Sequence, residues 1–203
     1  MLMIAMGEMF PIVLYRAYKK SEYAEKFVYE GIFFIGKLEG YRDIEDQCRA
    51  DNSEGLGYYQ DNDGIHEHSE LIGDIYLLSL STNEVDLDFL SRKMGRNIIK
   101  INDPGMLAKD IENYLHNNGY GTFGGVKGEY IQYNKGESIE GELSEMDRAV
   151  LSVTQKPKGF SPECEYRLFT NLNSQWCFPP SSGYIGINLR KRLDYADIIS
   201  NGI

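Results

Sequence analysis

Leu71–Leu80, LIGDIYLLSL, followed at once by Ser81-Thr82, is the stretch whose reading decides the fold. It is rich in β-branched, aromatic and aliphatic residues. A glycine- and charge-rich segment precedes it, so it reads as the strongest and most central strand of the chain. Side chains alternate along a strand, so Ser79 and Ser81 share one face while Leu78 and Leu80 share the other. A polar stripe on an otherwise buried strand is unusual, and it marks the place to look for a site.

Upstream, Pro11–Arg16 (PIVLYR) reads as a first strand. Ser21 is a fitting N-cap for a helix over Glu22–Glu30, with Tyr23, Ala24 and Phe27 on one face and Gly31 as its C′ residue. Ile32–Ile35 is a buried strand. Lys37–Asn52 is compatible with a helix or an ordered loop. Gly55–Glu70, containing Asp61-Asn62-Asp63-Gly64, reads as a hairpin turn or a long surface loop.

Downstream, Asn83 is placed to cap a helix over Glu84–Met94, and Arg96–Ile101 reads as a strand. Pro104 starts a helix that ends near Asn117–Asn118. Tyr120–Tyr133 is a glycine-interrupted strand or hairpin, and Lys135–Met146 is acidic and loop-like. Ala149–Thr154, Glu163–Thr170 and Tyr184–Leu189 read as three further strands, and Asp194–Ile199 as a helical turn. No repeat or linker divides residues 1–203. Strands outnumber helices without alternating regularly with them, so the expectation is one α+β domain with split mixed or antiparallel sheets and a few peripheral helices.

A chain of 203 residues with 42% hydrophobic and 26% charged residues is long enough for one domain with a real core. The formal net charge of −10 argues against general nucleic-acid binding, which needs Lys and Arg to neutralise phosphates. It argues equally against docking on anionic lipid, and it suits a basic protein partner. The three cysteines, Cys48, Cys164 and Cys177, show no metal-ligand spacing and read as reduced thiols of a cytoplasmic protein. The apolar start carries Glu8 and Pro11 and lacks a basic region, unlike a signal peptide, and no apolar run reaches membrane-spanning length.

Three short pieces carry the chemistry: Leu14-Tyr15-Arg16, Leu78–Thr82 and Glu163-Cys164-Glu165-Tyr166-Arg167. Splitting a nicotinamide–ribose bond requires a carboxylate near the ribose to stabilise an oxocarbenium-like centre. It also needs a cation for the pyrophosphate and hydroxyls that fix the ligand. Arg16 suits the anchor, Ser79, Ser81 and Thr82 the hydroxyls, and Glu165 the charge-stabilising carboxylate, assisted by Glu163. Tyr15 or Tyr18 is placed to stack on nicotinamide or adenine. On a strand Glu163, Glu165 and Arg167 share a face, so Arg167 is also positioned to neutralise Glu165.

The order arginine, Ser-x-Ser-Thr, Glu-x-Glu resembles the ADP-ribosyltransferase superfamily of the arginine–serine–glutamate type. The opening of strand, helix, Gly31 and strand fits the same resemblance. It implies an ADP-ribosyltransferase-like fold and NAD as co-substrate, used for ADP-ribosyl transfer or NAD glycohydrolysis. Separately, Lys156–Leu168 (KPKGFSPECEYRL) and Gly36–Leu56 resemble a widespread, uncharacterised bacterial and phage domain family. That resemblance implies an alternative: a non-catalytic nucleotide- or protein-binding module in bacterial defence or a phage's answer to it.

Other motifs have plainer readings. Gly119–Val126 has kinase-like glycine spacing, but no other kinase motif follows, so it reads as a hairpin with glycine bulges. His66-Glu67-His68 puts two imidazoles on one strand face without a third ligand fixed by spacing. The run from Tyr41 to Glu54, with Arg42 and Arg49 among its acids, reads as a solvated mixed-charge helix face or, as a third reading, its carboxylates Glu45, Asp46, Asp51 and Glu54 are those of a metal-dependent nuclease.

Overall fold

The computed structural model describes residues 10–41, 55–61, 64–68, 74–135, 145–172 and 183–200. In chain order the strands are β1 (Leu14–Tyr18), β2 (Ile32–Lys37), β3 (Gly57–Asp61), β4 (Gly64–His68), β5 (Asp74–Thr82), β6 (Asn97–Ile101), β7 (Thr122–Tyr130), β8 (Glu165–Leu172), β9 (Tyr184–Asn188) and β10 (Ala196–Ser200). The α-helices are α1 (Ser21–Glu25, continued by a wider π turn over Lys26–Glu30), α2 (Leu87–Met94), α3 (Pro104–Asn117) and α4 (Glu145–Thr154).

The expected central strand is β5. Along one edge it pairs with β8 from Asp74↔Leu172 to Ser81↔Glu165. Its other edge is shared: β2 takes the start, at Gly36↔Leu77 and Lys37↔Tyr76, and β1 takes the end, at Leu14↔Thr82 and Tyr15↔Ser81. Between these contacts β1 and β2 splay apart, so the ladder opens beside Leu78–Leu80. Beyond β1 lie β6 and β10, beyond β2 lies β9, and β7 borders β8, all antiparallel and forming an eight-stranded sheet. The hairpin β3–β4 is a separate two-stranded sheet. The result is an α+β fold built on an antiparallel sheet with few helices.

The two faces of the sheet are covered differently. One carries the main core, where Leu107, Ile111 and Leu115 of α3 and Ala24, Phe27 and Val28 pack on Tyr76, Leu78, Leu80, Tyr166 and Leu168. The other carries two smaller clusters. Val153 of α4 meets Leu38, Ile75, Leu77 and Phe169, and Leu90 of α2 meets Val85 and Ile98 with Tyr15, Ala17 and Met94 alongside. Between α2 and α4 the apolar cover is broken.

Several local expectations hold: Gly31 ends the first helix in the left-handed region, and Asn117 ends α3. The glycine-rich segment is strand β7 with a register shift between Phe123 and Lys127 at Gly124 and Gly125. Four expectations are corrected. Ala149–Thr154 belongs to helix α4, whose last turn is buried on all sides, and a continuously buried run has no periodicity to separate helix from strand. Asp194–Ile199 is mostly the edge strand β10, because its β-branched pair Ile198-Ile199 is recruited by β6. The cap of α2 is Asp86, which accepts from the Asp88 N–H, while Asn83 sits in a turn. Strand β8 starts at Glu165, and Glu163 ends a 3₁₀ helix over Lys158–Glu163. Most of Lys37–Asn52, the Asn62-Asp63 turn and nearly all of Lys135–Met146 lie outside the described residues.

Gly95 joins α2 to β6 at φ +134, and an added Cβ would overlap the Tyr18 carbonyl, which is backbone and cannot rotate aside. Gly95→Ala is therefore expected to cost at least about 2 kcal/mol by urea denaturation. A change within about 0.5 kcal/mol would mean that β1 and β6 can separate freely there.

Candidate functional site

The break in the apolar cover is where the polar stripe of β5 comes to lie. Register sets Ser79 opposite Arg167 and Ser81 opposite Glu165, and alternation sends all four side chains to the face between α2 and α4. A cavity of about 170 Å³ opens there, lined by Arg16, Ser79, Ser81, Lys156, Glu163 and Glu165, with Tyr15, Leu90 and Met94 as its less polar wall.

Lys156 is delivered by the exit from α4. The Gln155 side chain bridges to both backbone groups of Tyr58 (2.7 and 3.2 Å), and the Lys156 N–H donates to the Gln132 carbonyl at 3.0 Å. The 3₁₀ helix follows, and Cys164 then takes a left-handed conformation, φ +43. This kink directs Glu163 and Glu165 to the same lysine. Lys156 Nζ lies 3.0 Å from Glu163 Oε2 and 2.6 Å from Glu165 Oε2. On the other side Arg167 Nε donates to Glu165 Oε1 at 2.7 Å, and its Nη1 donates to the Val153 carbonyl at the end of α4. Arg167 is 1% exposed, Glu165 4% and Glu163 8%. The Glu165 N–H donates to the Tyr133 hydroxyl at 2.6 Å. Burial raises the Tyr133 phenol well above its ordinary value, which keeps it neutral.

The two carboxyls differ in kind. Burial pushes Glu165 up, but Arg167 and then Lys156 outweigh it and hold the carboxyl down at about 2. Glu163 is raised by burial, which Lys156 opposes only in part, and Glu165 beside it adds to the rise. Glu165 is thus a fixed anion, and Glu163 is the group able to take up and release a proton.

Arg16 reaches the cavity from β1. Its neighbours in the strand alternation, Leu14 and Tyr18, belong to the main core face. Its guanidinium turns into the opening between β1 and β2 and donates through Nη1 to the Ser79 carbonyl at 2.7 Å. Nε donates to the Tyr18 hydroxyl at 3.0 Å. The arginine thereby satisfies a carbonyl that the splayed strands leave without a ladder partner.

Of the residues expected from sequence, Arg16, Tyr15, Ser79, Ser81, Glu163 and Glu165 come together around one cavity. Thr82 and Tyr18 do not line it. Thr82 sits at the following turn, where its hydroxyl accepts from the Glu84 N–H at 3.4 Å, and Tyr18 packs near Tyr23 and Phe27 while holding Arg16. Lys156 and Tyr133 are site residues to which no strand pattern points. The available signal was Lys156 opening the same run that contains Glu163, Glu165 and Arg167. Among the described residues no group of three His, Cys, Asp or Glu is gathered as a metal would require. Glu45, Asp46, Asp51 and Glu54 lie outside them, as do the side chains of His66 and His68. No described helix is long and apolar enough to cross a membrane.

No protein-family profile, curated protein or solved structure matches this chain.

The two carboxyls should have opposite effects on stability as pH changes. The folded-state value of Glu165 is depressed, so its contribution is present above its ordinary value of 4.5 and is lost as pH falls through about 2. That of Glu163 is raised, so its contribution is present below 4.5 and is lost as pH rises through the raised value. Glu163→Gln is expected to flatten the fall in stability above pH 4.5. Glu165→Gln, which removes the carboxylate held between Arg167 and Lys156, is expected to cost about 3–5 kcal/mol at neutral pH. Urea denaturation across pH 3–8 checks both, and parallel curves for wild type and Glu163→Gln would contradict the assignment.

Proposed function

We propose that the cavity between α2 and α4 holds the ribose of a nucleotide-type ligand, with NAD as co-substrate for ADP-ribosyl transfer or NAD glycohydrolysis by a divergent ADP-ribosyltransferase-like domain. One observation carries this reading: Arg16, Ser79, Ser81, Glu163 and Glu165, distant in sequence, all line one concavity where the sheet splits. At about 170 Å³ the concavity suits one sugar rather than a dinucleotide, whose remainder would lie along its open side.

The chemistry follows from the two kinds of carboxyl. The bond from the ribose anomeric carbon to the nicotinamide nitrogen breaks, and its electron pair leaves with neutral nicotinamide. Glu165, held ionised by Arg167 and Lys156, supplies fixed negative charge near the positive ribose. Ser79 and Ser81 offer hydroxyls to the sugar. Water or an acceptor nucleophile adds to the anomeric carbon and gives its proton to ionised Glu163, whose raised affinity suits a general base.

A second reading is binding without turnover, in a nucleotide- or protein-binding module with an acidic surface for a basic partner. It is favoured by the engagement of both Glu165 oxygens, Oε1 with Arg167 and Oε2 with Lys156, which weakens the field the carboxylate can offer a ligand.

Nicotinamide release from NAD and calorimetric titration with ADP-ribose separate the readings. For an enzyme, Glu163→Gln is expected to lower turnover at least about a hundredfold while ADP-ribose affinity changes less than about threefold. Ser81→Ala, which keeps every ion pair, is expected to weaken ADP-ribose binding about tenfold. ADP-ribose binding without nicotinamide release in the wild type would establish the second reading for nucleotides. If wild type binds neither ADP-ribose nor NAD, the nucleotide site is refuted.

A further inference from the structure

An open groove, of about 620 Å³, lies on the opposite face of the sheet, between α3 and the chain that follows β9. One wall is a stripe of α3. Asp110, Asn113, Tyr114 and Asn117 recur at the i, i+3, i+4, i+7 spacing that puts side chains on one helix face. The other wall is the segment from Asn188 to Lys191, and both walls are fixed. Asp110 is buried and accepts from Lys191 Nζ at 2.8 Å and from the Tyr195 hydroxyl at 2.7 Å, which ties α3 to this segment. Gly31 allows the segment to lie close, because an added Cβ would come within 2.9 Å of Leu189 Cβ and of the Lys191 carbonyl. Arg190 is held in the left-handed region, φ +52, with its N–H donating to Asn188 Oδ1 at 3.2 Å. A non-glycine residue strained beside a cavity is a recurrent mark of function.

The chemistry of the walls selects a ligand class. The Asp110–Lys191 pair is internally neutral, which leaves Arg190 as the remaining charge of the lining. The rest of the polar lining is carboxamide. The Asn118 amide donates to the Tyr114 carbonyl and Asn188 Oδ1 accepts from the Arg190 N–H, so Asn113 and Asn117 are the carboxamides that offer an acceptor beside two donors and match a hydroxyl that both donates and accepts. Tyr114 adds a ring for the apolar face of a sugar. A phosphate would demand more free cations than this lining offers.

We propose that this groove binds a neutral, hydroxyl-rich ligand of the mono- or disaccharide class. It lies across the sheet from Lys156, so neither its success nor its failure bears on the NAD reading.

The test is a titration of the ¹⁵N-labelled full chain with glucose, N-acetylglucosamine and maltose, and with inorganic phosphate as the charged control. At least one sugar is expected to shift the side-chain amide signals of Asn113 and Asn117 saturably, at millimolar affinity or better. Asn117→Leu, at an exposed position where folding is not at stake, is expected to weaken that binding at least about tenfold. The proposal is overturned if no sugar moves these signals at about 50 mM, a dissociation constant far too weak for a built site. It is also overturned if phosphate alone moves them, or if Asn117→Leu leaves the sugar titration unchanged.

Discussion

Four buried or nearly buried charges, Glu163, Lys156, Glu165 and Arg167, alternate in sign around one point, and the second face of the sheet is organised by them. Lys156 joins the end of α4 to the 3₁₀ helix and to β8, and Arg167 joins β8 back to α4 through the Val153 carbonyl. Taking Glu165 out of this chain would remove the carboxylate that Arg167 and Lys156 share. That is the expensive way to break a buried ion pair, far costlier than never having built it. The quartet therefore ties α4 to the sheet alongside the small cluster around Val153.

The opening in the sheet is the second constraint, and it complements the first. Because β2 and β1 divide one edge of β5, the backbone beside Leu78–Leu80 would lose its ladder partners without a substitute. Arg16 provides one at the Ser79 carbonyl, and Tyr18 holds the guanidinium in place. An arginine expected to be a ligand anchor thus has a structural duty first. Any ligand it meets finds a guanidinium already oriented by two protein acceptors, which lowers the entropy of engaging it.

The readable parts of the site were those governed by strand periodicity. Ser79 and Ser81 were expected on one face because strands alternate, and the register with β8 puts Arg167 and Glu165 directly opposite them. Glu163 reached the expected place by a different route: it is not on β8, and the left-handed turn at Cys164 brings it there. Lys156 is illegible because Lys-Pro-Lys-Gly reads locally as loop, and its burial depends on distant Tyr58, held through Gln155, on Gln132 and on α4 being a helix. Helix α4 runs against the strand expectation because its last turn, Leu151–Thr154, combines β-branched residues with burial on every side. Tertiary packing decides such a run, since propensity and period do not.

The position of the quartet bears on its purpose. A salt-bridged cluster in a protein interior can often be replaced by well-packed apolar residues of similar volume without loss of stability, so stability alone gives little reason to keep four charges there. Apolar clusters stand on both sides of this one, around Val153 and around Leu90. The chain instead has two small hydroxyls and a carboxyl of raised proton affinity at the cavity, with the strongly paired carboxylate beside them. Small polar groups over a rigid ionic floor leave room and hydrogen-bonding capacity for a polar guest. A cluster serving only to hold α4 would need neither.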